Sequence, residues 1–473
     1  MLNFKTYYED NSKINNKQNH SYINHLNDAY LNKLWNLIYL KYKNVNNPKE
    51  EFNVELRDSI YYLEKYFSLK LYLYYCITSY HNIILWFEVY NKMYKPVKYR
   101  KKRKIEFHNY LKTIIKRLDE GLKLKISAPY IVCIKFMDQI KHLRQYKYLY
   151  NYIKNVYIHK CTKLIGLCNQ PNGKTIYKLY IKKYTGLYKS PKYIHNLGLS
   201  LLPKKLTKNK YEYFKTKELL FQECVKIASY IYNNIIHKYF HYKPDIPFKL
   251  KEVPLNLQNS QALAYYVPKD DIVYINLKFY KECDKKSLYK LLMHECMHQF
   301  HYRFMKFHKI EEYKIKGYDN IGFIEGFAHY MEDYMNDNKN DNNNDNDNDN
   351  DNDNDNDNDN DNDNDNDNGY YKILRILRLV VDTGINYYGW SYKKSFNYMM
   401  KYLPNRKEDI ISELDRYISI PAQGLCYVIG KLEIIKLRDK FLKSNKGTIK
   451  DFHHLLLING TCSFDTISKK INS

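Results

Sequence analysis

The chain is predicted to be mainly α-helical with one small β-sheet, and three observations carry that expectation. From about residue 21 to residue 160, Leu, Ile and Tyr recur at helical spacing with few glycines or prolines between them. One stretch alone, ALAYYVPKDDIVYINLKFY, has the β-branched and aromatic content of paired strands, broken by a turn at Lys269–Asp271. Helical patterns then return over about Lys285–Phe304, Ile321–Met335 and Tyr370–Phe441. With 473 residues, 44% of them hydrophobic, the chain has ample material for a buried core, which excludes global disorder.

Taken in order, residues 1–18 are polar and read as a loose N-terminus, and 19–209 as a helical N-terminal half. Within that half, the most apolar run, LKLYLYYCITSYHNIILWFEVY, is interrupted by Lys70, His81 and Glu88, so it reads as a buried helix and not a membrane span. Ser190–Pro191 marks a turn into a helix start. The pattern KELLFQECVKIASYIYNNIIHKYF is a further helix, closed by the two prolines of KPDIPFKL, and the strand pair follows. Residues 336–368 form an Asp-Asn repeat with no apolar side chain, expected to be a disordered insertion in a surface loop. It fails as a calcium loop: an EF-hand begun at Asp363 needs Gly at 368 and Glu at 374, where Asn368 and Leu374 stand. Residues 446–473 read as a C-terminal tail.

Charge and cysteine content exclude other classes. The formal charge of +25 would suggest a nucleic-acid partner, but the lysines are spread along the whole chain and gather in no block. The repeat holds fourteen Asp against one Lys, a net −13, which leaves +38 on the remainder. Lys, Asn, Ile and 53 Tyr are the residues an A/T-rich coding bias enriches, which accounts for the basic excess without a dedicated binding face. No nucleic-acid partner is expected. The nine cysteines are odd in number, scattered and free of any C-x-x-C pair, which fits a reducing compartment. The N-terminus has no apolar core of signal-peptide length and carries early acids. A soluble protein of the cytoplasm or another intracellular compartment is the expectation.

Chemistry concentrates in LLMHECMHQFHYRF, residues 291–304. In a helix His294 and His298 lie one turn apart on one face and offer two imidazoles to one metal. Glu295 stands beside them, placed to take a proton from water. Seven residues from His294, His301 shares the face but lies about 10 Å along the axis. That is too far to share one ion, which leaves it a neighbour of the site, a cleft wall or surface. Downstream, IGFIEGFAHYMED opens after Asp319–Asn320, good cap residues, and supplies Glu325 as a third ligand from a second helix. The small residues Gly326 and Ala328 would let that helix approach the first. One zinc ion with an open position is the implied cofactor, and 210–445 the zinc-binding catalytic half.

The runs RLVVDTGINYYGWSYKKSFNYM and ELDRYISIPAQGLCYVIGKLEIIKLRDKF resemble the C-terminal signature of the domain-of-unknown-function 885 family. The resemblance continues upstream through EGFAHYMED, the HE motif, AYYVPKDDIVYINL and YIHNLGL, reaches GLKLKISAPYIVCIKFMDQIKHL more weakly, and covers roughly residues 118–441. It implies a zincin-like metallopeptidase fold with a helical cleft, zinc on His294, His298 and Glu325, and Glu295 as base. It also marks Arg378, Asp382, Gln423 and Tyr427 as cleft residues. A phenol or guanidinium suits the donor facing the oxyanion, so Tyr427 comes first and Arg378 second, with Tyr330 and His329 behind them. Arg378 could instead pair with Asp382, one helical turn away.

Three departures from the family pattern stand out. His298 follows HE-x-x directly, where the family has Pro-Gly before its next histidine; Asn386 replaces the histidine of D-T-G-I-H; and Val428 and PAQ replace a lysine and P-G-Q. The first leaves a normal zinc frame. The second removes one donor toward substrate, although an amide can still hydrogen-bond. The functional expectation is a zinc metallopeptidase of short peptides, and the alternative a peptide-binding protein impaired in turnover.

Overall fold

Helices form where the apolar spacing places them. In this computed structural model the described residues are 2–16, 28–45, 47, 49–74, 100–204, 212–259, 261–334 and 370–472. Ten helices frame the site: α1 (Phe4–Asn16), α2 (Gly173–Thr185), α3 (Pro191–Leu201), α4 (Lys285–Phe307), α5 (Ile321–Met331), α6 (Tyr370–Asn386), α7 (Lys407–Ser419), α8 (Cys426–Lys443), α9 (Ile449–Ile458) and α10 (Phe464–Asn472). α3, α4, α5 and α9 start at side chains that cap free N–H groups. Ser190 accepts from the Tyr193 N–H at 3.1 Å, Asp284 from Ser287 at 3.0 Å and Asn320 from Phe323 at 3.1 Å.

The sheet has three strands, β1 (Leu250–Glu252), β2 (Ala264–Val267) and β3 (Ile272–Ile275), in the order β1-β3-β2. β2 and β3 are the expected hairpin, turned through Asp271 at φ 53°. β1 pairs parallel to β3 and was not foreseen; three residues after two prolines carry no alternating pattern to detect. β3, which leads toward α4, is the central strand, so the edge beside the site is β2. Polar contacts fasten the hairpin to α4: Gln299 donates to the Asp271 carbonyl at 2.6 Å, and Arg303 pairs with the Asp271 carboxylate at 3.0 Å.

α4 runs through the centre of the molecule, with Leu292, Met293, Cys296, Met297 and Phe300 fully buried. A helix apolar on most sides must be covered on most sides. α5 crosses α8 where two glycines meet: a Cβ on Gly326 would lie 2.5 Å from the backbone of Gly430. Gly322 is pressed likewise against the Thr185 backbone of α2. The close approach expected of Gly326 toward α4 is therefore an approach to α8.

Several expected boundaries are corrected. Residues 4–16 are not loose: Phe4 and Tyr7 are buried, and Phe4 stacks on Phe52 at 6.0 Å. Nor is 446–473 a tail, since α9 and α10 bury Phe452, Leu456, Leu457, Phe464 and Ile467. The division at 209/210 does not separate two cores. One buried cluster joins Phe107–Tyr157 to Tyr370–Ile418, and another joins Ile176–Ile194 to Leu379 and Ala422–Ile429. Among the described residues no single helix is long and apolar enough to cross a membrane. Most of the apolar run at 69–90, and the whole Asp-Asn repeat, lie outside the described residues.

Candidate metal centre

On adjacent turns of α4, His294 and His298 direct their Nε2 atoms to one point, 3.1 Å apart. Glu325 arrives from α5 with Oε2 3.1 Å from His294 Nε2 and 3.6 Å from His298 Nε2. All three donor atoms lie within 4.8 Å of one another. Tetrahedral bonds of ~2.0–2.1 Å would space neighbouring donors about 3.3 Å apart, so the triangle fits one small cation. The group opens to solvent on one side: His294 is 6% exposed, His298 15% and Glu325 22%. Without an ion, burial disfavours charge on His294, but hydrogen bonds to Glu325 and Glu332 outweigh it and raise its pKa to about 9. Burial likewise pushes Glu325 up, and the two histidines overcome it and hold its carboxyl well below the usual range.

Glu295 points to the edge strand. Its Oε2 accepts the Tyr266 N–H of β2 at 2.9 Å, and burial raises its pKa against the pull of His294 and His298. The carboxylate is held by a backbone donor beside the metal donors, with its affinity for a proton increased.

Behind the donors stand groups that sequence reasoning missed. Glu332 Oε1 lies 2.8 Å from His294 Nδ1, and its other oxygen is bound by Arg375. A carboxylate on Nδ1 fixes the ring so that Nε2 faces the metal position. Glu332 is seven residues beyond Glu325, two turns on, and that spacing in EGFAHYMED was the available signal. His329, weighed as an oxyanion donor, is buried against Arg375 at 3.2 Å; burial and that guanidinium lower its pKa to about 3.

Tyr427 of α8 meets the donors, its ring stacked on His294 with centroids 6.0 Å apart. Arg378 lies over the same ring at 4.7 Å, but its fork is held by both oxygens of Glu413 at 2.9 Å, not by Asp382. Gln423 accepts from Arg416 Nε at 2.8 Å, and Arg416 Nη2 donates to the Tyr427 hydroxyl at 3.2 Å. Arg416 and Glu413 of α7 thus belong to this wall, though neither was singled out.

Other expected site residues are packing groups. Tyr330 is fully buried and bonds His453 Nε2 at 2.9 Å. Asp382, also fully buried, accepts from Tyr177 at 2.6 Å and from the Ala422 N–H at 3.0 Å; burial raises its pKa to about 7. Asn386 is buried too, and its amide is used on Asp382, the Tyr417 carbonyl and the Leu167 N–H. His301 is core rather than surface, its ring 5.6 Å from Phe323 and 5.7 Å from Phe327, and burial holds it neutral.

No curated protein matches the chain. Solved structures share its fold, two of them described as lipoproteins. A structure described as a "putative lipoprotein of unknown function from Shewanella oneidensis" aligns over 100% of both chains with TM-score 0.64 and 12% identity. The "putative lipoprotein from Colwellia psychrerythraea" aligns over 78% of this chain and 76% of its own, with TM-score 0.59 and 18% identity. The family profile described as "Bacterial protein of unknown function (DUF885)" matches residues 202–471, a span that takes in α4, α5, the wall helices and both C-terminal helices. With more than half of its length so matched, the chain belongs to the DUF885 family.

Proposed function

We propose that the protein is a zinc-dependent metallopeptidase of the zincin type, acting on short peptides. The observation that carries this reading is the donor triangle of His294, His298 and Glu325 with Glu295 at its side. A zinc ion held there supplies Lewis acidity toward water and the scissile carbonyl. Glu295, anchored by the Tyr266 N–H and raised in proton affinity by burial, takes the proton of the attacking water and passes it to the leaving amine. Tyr427, whose hydroxyl receives a hydrogen bond from Arg416, is polarised to donate to the oxyanion. β2 is an edge strand, so its outward backbone groups other than the Tyr266 N–H, which holds Glu295, can pair with an extended peptide beside the donors.

The alternative, a peptide-binding protein without turnover, draws on Asn386 standing for a family histidine. That side chain is fully buried and spends its amide within the fold, so it offers no support for impaired chemistry. The deciding measurement is hydrolysis of a peptide library by the purified chain loaded with zinc, with and without chelator. Chelator-sensitive cleavage that disappears in Glu295→Gln is the expected result. Absence of any cleavage, with Glu295→Gln indistinguishable from wild type, would overturn the reading.

A further inference from the structure

Three guanidiniums surround the Tyr427 ring: the Cζ atoms of Arg378, Arg416 and Arg375 lie 4.7, 5.6 and 5.8 Å from its centre. Two of them are neutralised in place. Arg375 is bound to Glu332, and Arg378 gives two parallel hydrogen bonds to Glu413. Among the described residues Arg416 shares its carboxylate, Glu413, with Arg378. Its Nε and Nη2 both donate to the neutral side-chain carbonyl of Gln423, and Nη2 also reaches the Tyr427 hydroxyl. Its one ionic contact among the described residues is Glu413 at 3.3 Å, and that carboxylate already serves Arg378 and the Tyr417 hydroxyl.

Exposure separates the three in the same way. The Arg375 and Arg378 side chains are 7% and 9% exposed, whereas Arg416 keeps 25%. A half-buried guanidinium whose one carboxylate contact is shared with a second arginine keeps its charge only partly balanced and is a receptor for a carboxylate, which fits its planar fork. It sits one hydrogen bond from the phenol assigned to the oxyanion. In a peptide the terminal carboxylate lies one residue step, about 3.8 Å, beyond the last peptide carbonyl.

We propose that Arg416 binds the C-terminal carboxylate of the substrate, so that the site removes single residues from the C-terminus of short peptides. The proposal rests on the peptidase reading and deepens it. With the scissile oxygen held by Tyr427, a free carboxylate reaches Arg416 when one residue lies beyond the cut. Cleavage of an internal bond would instead bring a neutral amide against the guanidinium and cover its charge with no partner beyond the shared Glu413. Gln423 holds the fork without quenching it. A carboxylate at that position would occupy Arg416 in the substrate's place.

The test uses the zinc-loaded full chain and peptides of one sequence made as the free acid and as the C-terminal amide, with products read by mass spectrometry. The expected result is release of the last residue from the acid, with kcat/KM for the amide lower by roughly 100-fold, the scale of a lost buried charge pair. Gln423→Glu, which keeps side-chain size, is expected to raise KM for the acid by about tenfold or more with unchanged zinc content and circular dichroism. Arg416→Met is expected to abolish the preference for acid over amide. Equal cleavage of acid and amide, or cuts inside the chain, would overturn the carboxylate assignment and leave the peptidase reading standing. Failure to cut either peptide would refute both.

Discussion

The Nδ1 atom of His294 and the carboxylate of Glu332 lie 2.8 Å apart, and Arg375 holds the far oxygen of the same carboxylate. An imidazole of the candidate metal centre is thereby fixed from behind by an acid that is itself fixed by a base. Glu332→Gln, which keeps the shape and removes the charge, is expected to weaken zinc binding by about 10- to 100-fold. Competition against a chromophoric chelator measures this, and unchanged affinity would mean the contact does not orient the ring.

Metal content distinguishes ligands from bystanders. His294→Ala, His298→Ala and Glu325→Ala should each lose stoichiometric zinc, since each removes one corner of the donor triangle. His301→Leu should retain it, because that ring packs between Phe323 and Phe327. Elemental analysis of the four purified variants is sufficient, and zinc loss in His301→Leu would count against the assignment.

Two tyrosines proposed for the same job should behave in opposite ways. Tyr427→Phe removes the hydroxyl beside the donors and should lower kcat by about 100-fold, as loss of one oxyanion donor does, with zinc retained. Tyr330→Phe leaves His453 Nε2 without its bond and should cost about 1–3 kcal/mol of stability while kcat is unchanged. Denaturant titration and steady-state kinetics on both variants check the pair; a kinetic defect in Tyr330→Phe would restore it to the site.

Asp382 supplies a pH test of the packing. Burial raises its folded pKa to about 7, while an unfolded Asp ionises near 3.9. Between these values the folded chain retains a proton that the unfolded chain has lost, so this group's contribution to stability declines as pH rises through the window. In Asp382→Asn that slope should vanish, and the difference from wild type should change by up to about 1.4 kcal/mol per pH unit within it. Urea midpoints between pH 4.5 and 8 provide the comparison; parallel curves would contradict the assignment.

The α5–α8 crossing is the most sensitive joint. A methyl at Gly326 would stand 2.5 Å from the Gly430 backbone and would push α5 away. Gly326→Ala should cost about 1–3 kcal/mol, the usual penalty for overpacking, and should also weaken zinc binding, because Glu325 is the adjacent residue. Normal zinc affinity in a destabilised Gly326→Ala protein would show that the ligand does not depend on this contact.

Much of the fold was readable along the chain because its helices are long and periodic. Ser190–Pro191 and Asn320 cap the helices they were expected to start, and Ala264–Val267 with Ile272–Ile275 form the expected hairpin. β1 escaped because three residues hold too little pattern. The ends escaped because polar composition near Phe4 and short helices at 449–472 look like loose segments until the core they cover is present.

The grouping of the candidate metal donors belongs to what the sequence determined by itself. His294 and His298 are set one turn apart by helix geometry alone, and Glu325 follows within one short helical motif. The wall around them was decided only by tertiary structure. Glu332, Arg375, Glu413 and Arg416 act through hydrogen-bond partners up to 46 residues away, and no local periodicity encodes such pairings. The same physics reversed Asn386 and Tyr330, whose family likeness or residue type suggested chemistry. Both are fully buried, and at such positions a polar side chain is spent on satisfying the backbone and neighbours around it.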